Sequence, residues 1–388
     1  MKHIILIGDG MAGYPLETLK GKTTLEAAKT PHIDWLLSHG LTGLVQNVPR
    51  GMQPGSDVAS MSIFGYDPRK QYPGRAPLEA AAQGLTLDKE TVAFRCNLVT
   101  IKDGLMKDFT AHHIETPVAM KLIQKINKAL SSEKIQFYPG MSYRHLMLFE
   151  NGPVNAFCTP PHDITGKAIS DYLPQGKGAD VLLSLMNASK EILAKEKTAA
   201  TQIWLWGQGK APKLKSLTER YHIKGSVITA VDLLRGIGKY AGLKPIIVKG
   251  ATGFIDTNYA GKVAAGLKAL KTEDLLILHV EAPDECGHMG NAKLKVKAIE
   301  DFDNKVVAPI VKEMHARKEP FRIIILPDHP TPVALKTHSG EPVPFVFYDS
   351  THERAGLQGT YCERTAKSSG LVIDHGKDLI EKMIHAGF

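Results

Sequence analysis

The chain has 388 residues, enough for a large hydrophobic core and for one big domain with a smaller companion. Its 43% hydrophobic and 23% charged residues describe an ordinary globular composition, and no apolar run approaches the roughly 18 residues that a membrane helix needs. The net charge of +8 is scattered rather than gathered into a basic stripe with interleaved aromatics, which argues against a nucleic-acid partner and for a surface that tolerates small anions.

In chain order, the run from Ile4 to Ile7 is too brief for a signal peptide and reads as a first strand, so the expected location is the cytoplasm. A helical pattern covers 31–38. Residues 93–100 and 105–112, joined by Lys102-Asp103-Gly104, read as an antiparallel hairpin with an Asp-Gly turn. A helix over 117–130 follows, then strands over 135–138 and 142–150. Beyond them, strands at 203–206, 245–248, 275–280, 323–326 and 345–348 alternate with helical patterns at 227–240, 262–270 and 296–315. Continuous apolar strands separated by helices imply a mostly parallel sheet covered on both faces, an α/β fold. The ββαββ order of the middle implies an α+β insertion over 92–184, with 1–91 and 185–388 forming the larger domain. Cys96, Cys158, Cys286 and Cys362 are far apart and form no Cys-x-x-Cys pair, as expected of reduced thiols.

Ligands of an open parallel sheet sit at the carboxyl ends of its strands, and three of these strands end in metal-ligand chemistry. The first runs into Gly8-Asp9-Gly10. The run 275–280 leads to Asp284 and His288, spaced i, i+4 so that both can share one helix face. The run 323–326 leads to Asp328-His329, with His338 nine residues later. Singly, such an aspartate is more often a turn residue; together, carboxylates and imidazoles without thiolates suit Mn²⁺ or Zn²⁺, with Mg²⁺ or Co²⁺ as further options. Two such divalent ions would clamp a phosphoryl group and activate an oxygen nucleophile. The nucleophile candidate is Ser56 in Pro54-Gly55-Ser56-Asp57, whose competing reading is a helix N-cap; Ala59 stands where a capping box would need Glu or Gln.

Other signatures fall away. Gly8-x-Gly10-x-x-Gly13 matches a dinucleotide fingerprint, but Pro15 and Gly21 interrupt the helix that should follow. Gly21-Lys22-Thr23 ends like a P-loop, yet position 16 is Leu. No Gly-x-Ser-x-Gly nucleophile elbow occurs.

Over nearly its whole length the chain resembles the archaeal-type, cofactor-independent phosphoglycerate mutases of the alkaline phosphatase superfamily. The likeness rests on Gly8-Asp9-Gly10, the stretch 21–28, Pro54-Gly55-Ser56-Asp57, Gly65-Tyr66-Asp67-Pro68, Ala93-Phe94-Arg95-Cys96-Asn97, Trp206-Gly207-Gln208-Gly209-Lys210, Glu281-Ala282-Pro283-Asp284 and Asp328-His329. It implies an alkaline-phosphatase-like sheet with an inserted domain capping the metal site. It implies one metal on Asp9, Ser56, Asp328 and His329 and a second on Asp284, His288 and His338. Ser56 would carry the phosphoryl group between the two hydroxyls of glycerate, so the partner is a small phosphorylated metabolite. Arg75, Arg95, Lys210 and Lys249, with His113 and His162, are the candidate anion contacts. The chain departs from the pattern at Gly13, where many relatives carry an acid, and at His112, where a glycine is common. Met11 to Pro15 and Gly55-Ser56-Asp57-Val58 look closer to a sister group proposed to be homoserine kinases. A kinase for homoserine or a similar alcohol, a phosphohydrolase, and a non-catalytic metal-binding protein are therefore the competing readings.

Overall fold

The computed structural model describes residues 1–388. Its strands, in chain order, are β1 Lys2–Gly8, β2 Leu41–Val45, β3 Thr91–Lys102, β4 Leu105–Asp108, β5 Ile135–Tyr138, β6 Arg144–Glu150, β7 Gln202–Gly209, β8 Gly225–Ile228, β9 Lys244–Pro245, β10 Leu275–Val280, β11 Phe321–Leu326, β12 Val343–Asp349 and β13 Val372–Ile373. The chain divides into two compact units, Met1–Tyr72 with Leu214–Phe388, and Pro73–Lys213. No helix is long and apolar enough to cross a membrane.

The first unit is built on an eight-stranded sheet of order β13-β2-β12-β11-β1-β10-β8-β9. Only β12 runs antiparallel to its neighbours β11 and β2; the remaining pairs are parallel, as the apolar runs implied. β10 is buried along its entire length and β1 from His3 onward, the signature of a sheet covered on both faces. Placement of β1 between β10 and β11 matters most for function. Gly8 lies opposite Val280 and Ile7 opposite Leu326, so three carboxyl ends finish side by side.

Two expected helices resolve differently. The pattern over 227–240 contains the end of β8, and its helix begins only at Asp232, because the apolar pair Val227 and Ile228 belongs to the sheet. The pattern over 296–315 is two helices, Ala292–Phe302 and Ala308–Arg317, joined by a π-helical turn at Asp303–Val307. That turn aims the buried Asp303 at the start of the helix Pro31–Ser38, where its carboxylate accepts the N–H groups of His32 and Ile33.

The second unit carries a five-stranded sheet in which β3 pairs antiparallel with β4, β6 and β7, and β6 pairs with β5. Asp103 and Gly104, at φ 53° and 70°, make the β3–β4 turn, the left-handed pair that an Asp-Gly hairpin requires. The helices Thr116–Leu130 and Ala179–Leu193 bury Leu122, Ile126, Leu182 and Met186 against Phe94 and Trp204 of the sheet. This unit is wider than the insertion expected over 92–184. β7, read from sequence as a strand of the large sheet, instead pairs with β3, and the helix Arg75–Ala82 packs on both strands. An apolar strand states that it is buried on both faces, not which sheet accepts it.

Candidate active site

Asp9, Asp328 and the helix Ala282–His288 follow directly from the three adjacent strand ends. Asp9 and Asp328 are fully buried and Asp284 nearly so. The backbone keeps them close. Gly10 has φ +61°, and a Cβ there would fall 2.6 Å from Asp284 Oδ1 and 2.5 Å from Thr331 Oγ1. Its N–H donates to Asp328 Oδ1 at 3.1 Å, and the N–H of His329 donates to the same oxygen at 2.8 Å.

Around Asp284, two imidazoles converge. His288 Nε2 lies 3.1 Å from Asp284 Oδ2, His338 Nε2 3.6 Å from Asp284 Oδ1, and the two Nε2 atoms are 2.9 Å apart. The Nδ1 of His288 is 3.0 Å from the Lys336 carbonyl, an acceptor, so Nδ1 carries a proton and Nε2 is the nitrogen left to bind. On the other side of Asp284, His329 Nε2 lies 3.7 Å from Asp9 Oδ1, 3.3 Å from Asp328 Oδ2 and 3.1 Å from Ser56 Oγ.

Ser56 is not a cap. Gly55 takes the flanking position and Ser56 is the first residue of the helix Ser56–Ile63. Its hydroxyl faces Asp9 Oδ2 at 3.4 Å as well as His329.

The electrostatics are those of crowded carboxylates. Burial, reinforced by Asp328 and Asp284, holds the Asp9 carboxyl well above its usual range. At Asp284 burial pushes the same way, but the hydrogen bonds to His288 and His338 outweigh it and the carboxyl lies well below that range. His288, bonded to Asp284, is raised to about 9, and burial lowers His329. Asp9 Oδ1 and Asp328 Oδ2 are buried without a hydrogen-bond partner. Unpaired buried carboxylate oxygens are costly unless a cation meets them. Two donor groups, Asp284 with His288 and His338, and Asp9 with Asp284 and His329, each bring their ligand atoms within 4.8 Å of one another. The residues fit divalent cations, with the Asp284 carboxylate common to both groups.

Within the second unit, three of the expected anion contacts gather on one ring. The guanidinium of Arg95 sits 4.4 Å from the centre of the Trp206 ring, that of Arg75 6.0 Å, and the His162 ring 5.3 Å. Arg95 is almost wholly buried and pairs with Glu79 at 3.2 Å. His113 packs 6.5 Å from Tyr143 and closes the left-handed run Ala111, His112 and His113, at φ 50°, 58° and 51°. Lys210 does not join them: its Nζ makes a surface ion pair with Glu90 at 2.7 Å. Lys249 is exposed in the first unit.

Comparison with known proteins decides the family. A family model described as 2,3-bisphosphoglycerate-independent phosphoglycerate mutase matches residues 38–199. The enzyme of that name from Methanosarcina barkeri is 49% identical over 397 residues, covering 100% of both chains. The chain belongs to the 2,3-bisphosphoglycerate-independent phosphoglycerate mutase family. A solved structure of a Pyrococcus horikoshii protein superposes with a TM-score of 0.84 at 28% identity, covering 99% of this chain and 96% of that one. The cofactor-independent phosphoglycerate mutase from Thermoplasma acidophilum shares the fold at a TM-score of 0.68 and 23% identity, with 100% of each chain covered.

Three supporting residues of this family member escaped the sequence reading. Thr331 Oγ1 donates to Asp284 Oδ1 and lies 3.3 Å from His329 Nδ1, touching both donor groups at once. Lys295, fully buried, donates from Nζ to the carbonyls of Ala12 at 2.9 Å and Thr331 at 2.7 Å. It thereby ties the loop after β1 to the loop after β11, and burial lowers its ammonium to about 8. His279 hydrogen-bonds Asp9 from within β10. Its signal was available, since it is the one polar side chain in the run Leu-Leu-Ile-Leu-His-Val.

Proposed function

We propose that the protein interconverts 3-phosphoglycerate and 2-phosphoglycerate through a phosphoserine at Ser56. The observation that carries the reading is the hydroxyl of Ser56 at the start of a helix, 3.1 Å from His329 Nε2 and 3.4 Å from Asp9 Oδ2. Beside it stand the unpaired oxygens of Asp9 and Asp328. Asp9, Ser56, Asp328 and His329 would hold one divalent cation, Mn²⁺ or Zn²⁺ on the ligand chemistry, and Asp284, His288 and His338 a second. When bound, the cations lower the pKa of the serine hydroxyl and neutralise charge on the phosphoryl oxygens.

Ser56 Oγ then attacks phosphorus, the bond from phosphorus to one glycerate oxygen breaks, and the serine proton is balanced by one taken up at the departing oxygen. The second half reverses these events at the other hydroxyl. The amides of the first turn, at the start of the helix Ser56–Ile63, favour an anion in front of them. Arg75, Arg95 and His162 remain candidate anion contacts of the smaller unit, because a planar guanidinium can pair with a carboxylate in bidentate fashion. The four unpaired cysteines fit a reducing cytoplasm as the place of action.

Phosphorus NMR of the manganese-loaded protein with 3-phosphoglycerate, beside Ser56→Ala, tests the reading. Conversion to a mixture containing 2-phosphoglycerate, absent in the variant, is expected. Release of inorganic phosphate alone would make the protein a hydrolase, and phosphorylation of homoserine from ATP without isomerisation would reassign the substrate.

A further inference from the structure

A histidine within a buried parallel strand is an expense that an apolar side chain would avoid. His279 is fully buried in β10, and both ring nitrogens are engaged. Nε2 lies 2.9 Å from Asp9 Oδ2, and Nδ1 lies 3.1 Å from Thr229 Oγ1. Sheet register creates the row: β10 lies between β1 and β8, with His279 opposite Ile7, two residues before Asp9, and Leu278 opposite Ile228, the residue before Thr229. One further bond completes it, the N–H of Val231 donating to Thr229 Oγ1 at 3.0 Å.

The polarity of this row is determined from its two ends. A carboxylate that holds a cation is ionised and can only accept, so Nε2 of His279 carries the ring proton. The neutral ring then presents a bare Nδ1, which needs a donor. Thr229 can supply it because the Val231 amide, which only donates, already fills a lone pair of its oxygen and leaves the O–H to point at the ring. Donation therefore runs one way, from Val231 to Thr229 to His279 to Asp9.

We propose that Thr229 and His279 are positioning residues for Asp9: they hold its Oδ2 and turn its other oxygen, Oδ1, toward the cation. The unpartnered state of Oδ1, 3.7 Å from His329 Nε2, is what such a hold produces. The inference rests on Asp9 being a metal ligand, as proposed above. Groups that orient a ligand in this way typically change metal affinity by about 10- to 100-fold when removed. No comparable contact joins Thr229 or His279 to Asp284, His288 or His338, so the effect is confined to one of the two cations.

Calorimetric titration of the metal-free protein with manganese chloride tests the relay. The wild type is expected to show two sites. His279→Leu and Thr229→Val, the second nearly isosteric, should each weaken one site by about 10- to 100-fold while the other stays within about twofold. His279→Gln keeps an N–H for Asp9 and Thr229→Ser keeps the hydroxyl, so both should return the weakened site to within a few-fold of wild type. Unchanged affinities in His279→Leu and Thr229→Val, equal weakening of both sites, or failure of Gln and Ser to rescue would overturn the relay. A wild type that takes up no manganese would overturn the metal reading itself, and the relay with it.

Discussion

His288 and His338 aim their Nε2 atoms at one another across 2.9 Å, with the carboxylate of Asp284 beside both. Two lone pairs cannot share that distance without a proton or a cation between them, and the Lys336 carbonyl already takes the Nδ1 proton of His288. His338→Ala should therefore lower metal stoichiometry from two to one by elemental analysis. It should also reduce kcat by at least about 10²-fold, the scale for losing one electrostatic stabiliser of a transition state. Two retained metals with full turnover would show that His338 is a bystander.

Gly10 tests how tightly the loop after β1 is packed. At φ +61° a side chain is strained, and its Cβ would land within 2.6 Å of Asp284 Oδ1 and Thr331 Oγ1. Gly10→Ala should cost on the order of 2–4 kcal/mol of unfolding free energy, from the left-handed backbone and the overpacking together. Urea denaturation of the metal-free protein reads the backbone and packing cost directly, and an unchanged midpoint would contradict it.

Lys295→Met keeps the volume of the side chain but removes the ammonium that bridges Ala12 and Thr331. The Thr331 carbonyl loses a charged donor, while Ala12 keeps the Thr331 N–H at 3.1 Å. The expected loss is on the order of 3 kcal/mol, as for a buried charge-assisted contact with one side deleted. A methionine variant as stable as wild type would mean that the lysine costs as much to bury as it returns.

His145 gives the smaller unit a pH dependence of its own. The N–H of Gly140 donates to its Nδ1 at 2.9 Å, and burial lowers the imidazole to about 3. The unfolded chain takes up this proton near 6.5 and the folded one only near 3, so the native state binds fewer protons between those values. Stability is complete above about 6.5 and declines as pH falls toward 3, by about 1.4 kcal/mol per pH unit from this group. His145→Asn keeps an acceptor near the Nδ1 position and does not titrate. Its unfolding free energy between pH 6.5 and 4 should fall less steeply than that of wild type by about that slope.

The legible part of the site is the part that follows strands. Asp9, Asp284 and Asp328 announce themselves because an apolar run in a parallel sheet ends at the ligand-bearing edge, and His288 follows from helical spacing. What stays hidden depends on partners distant in sequence. In the stretch 293–297 three lysines alternate with Leu294 and Val296. Lys295 is the buried one while Lys293 and Lys297 are exposed, an inversion of what side-chain polarity suggests. Two carbonyls from loops far along the chain make that burial tolerable, and no local pattern encodes them. The partner of Lys210 is hidden in the same way, since Glu90, to which it is paired on the surface, lies 120 positions earlier. The membership of β7 was misread because both sheets bury their strands equally well.

The place of β1 between β10 and β11 has a consequence for how the molecule is made. Asp9 precedes its neighbours His279 and Asp328 by some 270 and 319 positions in the chain, as the contacts His279–Asp9 and Gly10–Asp328 record with separations of 270 and 318. A growing chain therefore carries β1 unmatched over the whole stretch that separates it from β10 and β11. Over that stretch the carboxylates of Asp9, Asp284 and Asp328 cannot come together, because they lie beyond the ends of three strands that have not yet paired. The cluster closes only when β10 and β11 pair with a strand that has been waiting for them, and such distant pairings are the slow ones to form.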